Sequence, residues 1–88
     1  MPMMEAIPLA VAQIYVPVKR RKMIEPAKVE ALANSILASG LLQPIQVRRD
    51  ETRAEERFVI IEGLHRLEAV KSLGEPTIMA FIVQARRH

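Results

Sequence analysis

The fold class this sequence predicts is α+β, a mixed α/β arrangement with two helices packed on a small twisted mixed sheet, in the order β-(β)-α-β-β-α-β. Three observations lead there. Strand-like and helix-like stretches alternate along the chain without an internal repeat. Two runs with helical spacing each stop at a glycine, Gly40 and Gly74. Between them the β-forming run Phe58-Val59-Ile60-Ile61 passes through Glu62 and Gly63 into the helix-forming run Leu64-His65-Arg66-Leu67-Glu68-Ala69-Val70.

Length sets the frame. The 88 residues are expected to form one small domain, 1–88, because a split would leave two pieces too short for separate cores. A chain of this size buries only about 60–65% of its unfolded surface, so backbone must hold any site in place. With Tyr15, Phe58 and Phe81 as the only aromatics, the core is read as Val, Ile, Leu and Met. The absence of cysteine excludes disulfides, a thiolate nucleophile and a cysteine-based metal site, and points to the cytoplasm. Thirteen basic against ten acidic residues, a net charge of +3, favour anionic partners without demanding nucleic acid. The apolar stretch over residues 6–18 contains Pro8, Gln13 and Pro17 and lacks a basic leader, so neither a signal peptide nor a membrane span is expected.

Residues 1–4 are expected to fray. Residues 5–10 and 11–16 read as one or two short strands, the first at an edge because Pro8 cannot donate to a ladder. Lys19, Arg20, Arg21 and Lys22 follow as a loop of four cations, either a solvated turn or a contact to a phosphate backbone. Glu25-Pro26 opens the first helix, since proline suits its first position and an acid complements its dipole, and Gly40 ends it. Val29, Leu32, Ala33, Ile36 and Leu37 recur at the spacing of a buried stripe and are read as core. Lys28 and Ser35, seven apart, share a side of that helix and read as surface unless a ligand claims them.

Ile45-Gln46-Val47-Arg48 alternates as a strand that buries Ile45 and Val47. The charged segment 49–57 reads as a hairpin loop, and Phe58–Ile61, continuously apolar, as its central partner strand. The second helix runs to about Leu73, stopped by Gly74 and Pro76. Residues 77–83 form the last strand, a nearly continuous apolar run, before a short basic tail with Arg86 and Arg87.

The candidate site is the strand-to-helix turn. The first N–H groups of a helix have no intrahelical partner and together carry about half a positive charge, which suits an anion. Gly63 removes the Cβ that blocks close approach, and His65 and Arg66 on the first turn add donors to those of Gly63 and Leu64. The plainer reading makes His65 a surface residue and leaves Arg66 needing a partner.

The motif Lys28-Val29-Glu30-Ala31-Leu32-Ala33-Asn34-Ser35-Ile36, then Gly40-Leu41-Leu42-Gln43-Pro44-Ile45-Gln46-Val47-Arg48, then Glu62-Gly63-Leu64-His65-Arg66-Leu67-Glu68-Ala69 and Gly74, resembles the ParB/sulfiredoxin superfamily over nearly the whole chain. In ParB partition proteins the matching module binds CTP, so the resemblance implies that Gln43 and the turn at Gly63, Leu64, His65 and Arg66 line a nucleotide pocket. In sulfiredoxins the turn reads Gly-Cys-His-Arg. Leu64 stands here where that cysteine would be, which excludes sulfinic-acid reduction while leaving the phosphate-contacting half, His65 and Arg66. Sulfiredoxins also bring a lysine and a hydroxyl from the first helix to the nucleotide, which implies Lys28 and Ser35.

The departures matter equally. ParB usually has two arginines where this chain has His65 and Arg66, and it continues into a second nucleotide motif, a DNA-reading helix-turn-helix and a dimerisation domain, which this sequence is not expected to carry. A free-serine kinase of the same superfamily performs phosphoryl transfer with a carboxylate base, for which Glu62 and Glu68 are the nearest candidates without an identifying motif. The expected function is therefore a nucleotide-binding module, for CTP or ATP/ADP with Mg²⁺ bridging the phosphates, regulatory in chromosome or plasmid partition or in transcription. The alternatives are DNA binding or nuclease-type action through Lys19, Arg20, Arg21, Lys22, Arg86 and Arg87, and an interaction domain with a vestigial pocket that dimerises through an open sheet edge. No membrane partner and no protein-held metal are expected.

Overall fold

The computed structural model describes residues 5–40, 43–52 and 54–84. Residues 1–4, Leu41, Leu42, Arg86 and Arg87 lie outside them. In chain order the elements are β1 (Ile7–Ala10), a 3₁₀ turn (Val11–Gln13), β2 (Ile14–Tyr15), α1 (Val18–Arg21), α2 (Pro26–Ser39), β3 (Ile45–Arg49), β4 (Phe58–Glu62), α3 (Leu64–Ser72) and β5 (Thr77–Ile82). The five strands form one mixed sheet in the order β1-β5-β3-β4-β2. Pairing is antiparallel between β1 and β5 and between β3 and β4, and parallel between β3 and β5 and between β2 and β4. Pro8 does lie on the edge strand β1.

The core forms where α3 covers the sheet. Leu64, Leu67 and Val70 meet Ile45, Val47, Phe58, Ile60, Ile78 and Ala80, with Leu9, Ile14 and Val16 closing the rim. Phe58, Ile45, Ile60, Leu67 and Val47 are its largest fully enclosed side chains. Leu64 and Leu67, three apart, and Val70, three further on, recur at helical spacing, which is why one face of α3 can enter the sheet while Glu68 and Lys71 pair outside it at 3.2 Å.

Four expectations need correction. The two-helix count misses α1: the segment Lys19–Lys22, expected as a loop, is mostly helical, because Pro17 precedes a turn in which the Arg20 and Arg21 amides donate to its carbonyl at 2.9 and 3.1 Å. The α2 stripe is not all core. Among Val29, Leu32, Ala33, Ile36 and Leu37 only Ala33 is buried, and Leu37 is 71% exposed. The reason is placement, since α2 packs chiefly on α3 rather than flat on the sheet. β4 is buried over Phe58, Val59 and Ile60 but has only the two-residue β2 on its outer side, so it is not fully central. β5 alternates, with Ile78 and Ala80 inward and Met79 42% exposed, since its outer face has no helix to meet among the described elements.

Candidate functional site: the cavity at the start of α3

β4 delivers the chain to Gly63, whose φ of +96° turns it sharply into α3. The first intrahelical bond runs from the Leu67 amide to the Gly63 carbonyl at 2.9 Å. The amides of Leu64, His65 and Arg66 therefore precede the hydrogen-bonded ladder, as at any helix start. A β-bulge between Gln46 and Val47 shifts the pairing with β4 beside this turn, where Gln46 opposes Glu62 and Val47 opposes Ile60.

The turn forms one wall of a cavity of about 450 Å³. Gly63, Leu64, His65 and Arg66 meet Glu62 there; Lys28 and Leu32 of α2, with Glu25 just before it, come from the opposite side. Leu64 borders the cavity too, and its side chain belongs to the buried core. The Lys28 ammonium lies 2.8 Å from Glu25 and, hydrogen-bonded to it, holds the Glu25 carboxyl below the ordinary carboxylate range, with the His65 ring a smaller influence in the same direction.

His65 and Arg66 have protein partners. His65 Nε2 accepts from the Glu25 amide at 3.1 Å, so the residue preceding α2 is tied to the first turn of α3. Arg66 Nη2 donates to Gln43 Oε1 at 2.9 Å and its Nη1 to the Pro44 carbonyl at 3.4 Å. Gln43 thus reaches the site through Arg66 although it is not on the cavity wall. Ser35 is exposed further along α2 and does not line the cavity.

Arg20 also lines the cavity, whereas the cationic run had suggested it only as one of several nucleic-acid contacts. Its Nη1 donates to the carbonyls of Ile60 and Ile61 at 3.2 and 2.8 Å, bonds across about forty residues of sequence that no local pattern announces. The other members of the run diverge. Arg21 donates from Nε to the Val16 carbonyl and stands over the Tyr15 ring at 5.4 Å, while Lys19 and Lys22 are exposed. Among the described residues no group of three or more His, Asp or Glu is placed to hold a metal ion, and no helix is long and apolar enough to cross a membrane.

Chemically, the arrangement offers helix-start amides outside the ladder, one imidazole and three basic side chains, Arg20, Lys28 and Arg66, against two carboxylates, of which Glu25 is already paired with Lys28. That balance accepts an anion with several oxygens.

Comparison with known proteins bears on the family and the fold. The chain is 42% identical over 66 residues to a probable chromosome-partitioning protein ParB of Campylobacter jejuni, a match that takes in 75% of this chain and 22% of that protein. The chain thus spans about a fifth of that relative's length. Its fold matches a C-terminally truncated chromosome-partitioning protein ParB from Caulobacter crescentus complexed with CTP-γ-S, at a TM-score of 0.79 and 25% identity over 93% of this chain and 46% of that one. It also matches sulfiredoxin from Arabidopsis thaliana, at a TM-score of 0.76 and 32% identity over 96% of this chain and 88% of that one. Both structures support the ParB/sulfiredoxin-like architecture read from the motifs, and the family model of the ParB N-terminal domain matches residues 3–88. On these grounds the chain belongs to the ParB N-terminal domain family.

Proposed function

We propose that this ParB-like chain is a nucleotide-binding module whose cavity at the start of α3 holds the phosphate tail of a nucleoside triphosphate or diphosphate, and that it acts in a regulatory step of DNA partition or transcription. The observation that carries the reading is convergence: the helix-start amides after Gly63, the side chains of His65 and Arg66, Lys28 and Arg20 share one cavity. Its volume of about 450 Å³ lies within the usual range for small-molecule sites. A related ParB solved with CTP-γ-S supports the ligand class.

Gly63 sets the distance of closest approach, and the Leu64 and His65 amides point along the axis of α3 toward the incoming charge. Arg66, fixed by Gln43, supplies a forked donor, and Lys28, paired with Glu25, supplies a second cation. Mg²⁺ would be held by phosphate oxygens and water, with Glu62 as the nearby carboxylate not engaged by Lys28. Gln43 acts by orienting Arg66, and Ser35 is kept as a contact only for the distal end of a ligand that extends along α2.

The test is calorimetric titration with CTP, ATP, ADP and GTP, each with and without Mg²⁺. At least one is expected to bind, and Arg66→Ala to weaken it about tenfold or more, the worth of a charge-assisted hydrogen bond. Absence of heat for every nucleotide at near-millimolar protein, or a titration untouched by Arg66→Ala, overturns the reading.

A further inference from the structure

We propose that the face of the sheet turned away from α3 binds single-stranded nucleic acid, with Tyr15 and Arg48 as its centre. The inference is independent of the nucleotide cavity and rests on different residues.

β-strand side chains alternate, so the residues between the core positions of each strand stand on the outer face. Arg48, Val59 and Tyr15 are direct neighbours there, in register across β3, β4 and β2. Beside them Gln46 of β3 opposes Phe81 of β5, both half-buried. Among the described elements no helix packs on this face as α3 does on the other. It opens instead into a cleft of about 850 Å³ with Val59 and Pro17 as apolar surface and Tyr15, Arg48 and Gln84 around them.

Two features select the occupant. Tyr15 is 41% exposed and carries Arg21 over its ring at 5.4 Å, so a base stacking there extends a pile of flat groups that the guanidinium begins. Arg21 and Arg48 then flank the ring with positive charge, Arg49 being paired with Glu56 at 3.0 Å. Tyr15 and Phe81 are three strands apart in sheet order, about 14 Å across the face, which suits successive splayed bases of one strand. A duplex keeps its bases stacked inward and offers neither ring a partner. The carboxylates of Asp50 and Glu51 form the wall at the β3–β4 loop, and Glu62, opposite Gln46, lines the other cavity.

The experiment is fluorescence anisotropy of a labelled oligo-dT of about ten nucleotides and of a hairpin duplex of equal length, with the full chain over a range of NaCl. The single strand is expected to bind about tenfold or more tightly than the duplex, with a log–log salt slope of about −0.7 per phosphate neutralised. Tyr15→Ala is expected to lower affinity about tenfold and Tyr15→Phe to preserve it, because stacking needs the ring and not the hydroxyl. Arg48→Ala, at a half-buried position outside the core, is expected to make the slope shallower by about 0.7. Equal affinity for strand and duplex, full binding by both Tyr15→Ala and Arg48→Ala, or displacement of the oligonucleotide by saturating CTP overturns the proposal; the last outcome places the strand in the cavity at α3.

Discussion

A Cβ built on Gly63 meets Ile45 Cγ2 at 2.6 Å and Ile45 Cβ at 3.1 Å, and Ile45 is fully buried, so neither atom has room to move. The residue also sits at φ +96°, backbone that L side chains rarely adopt. Gly74 shares the positive φ, at +74°, but a methyl group placed there would have nothing within 4 Å. The pair separates the two causes. Gly74→Ala is expected to cost about 1–2 kcal/mol, the backbone contribution alone, and Gly63→Ala about 2–5 kcal/mol once the clash with Ile45 is added; urea denaturation of both variants measures the difference. Glu25 offers a second test at this scale. Its carboxyl titrates below the ordinary value because Lys28 is hydrogen-bonded to it. A depressed folded value means that the pair favours the folded state above about pH 4.3 and that this preference is lost as pH falls through the folded value. Lys28→Met is therefore expected to move the Glu25 titration back up, as followed by carbon-detected NMR of the side-chain carboxyl.

At the scale of the element, α2 shows what periodicity conveys. Glu25, Pro26 and Gly40 mark its ends, and the helix runs Pro26–Ser39 with Gly40 at φ +81°. Those signals are local chemistry, legible without the rest of the molecule. Periodicity also identifies the apolar face, but not whether a neighbour covers it. Because α2 leans on α3, a groove lined by Ile24, Val29, Ala33, Leu37 and Leu73 stays open between them. Leu37→Ser is accordingly expected to change stability by no more than about 0.5 kcal/mol, whereas Leu67→Ala, at a fully buried position of α3, is expected to cost about 2–5 kcal/mol. Thermal or urea unfolding of the two variants distinguishes a stripe that is core from one that only has its spacing. α1 was hidden for the opposite reason: four residues are too few to show a period, and four adjacent charges read as a loop.

For the molecule as a whole, the strand-to-helix turn was the most legible feature and the far side of its cavity the least. Gly63, Leu64, His65 and Arg66 are contiguous, so one glance along the chain collects them, and Lys28 arrives through the family resemblance. Arg20 is brought in by the path of α1 past the end of β4, a long-range consequence of the fold that no spacing in the sequence encodes. The same path sends Arg21 to Tyr15, so a run of like charges ends up serving two sides of the sheet.

β2 pairs with β4 only at Phe58 and Val59, and past that point the carbonyls of Ile60 and Ile61 take the Arg20 guanidinium in place of a neighbouring strand. A lone side chain thus serves as a stopper on an unfinished border, discouraging another polypeptide from zippering onto it. Since that stopper also faces the hollow beside Gly63, an anion that pulls it inward surrenders two carbonyls to water, and filling the hollow competes with guarding the border for one guanidinium.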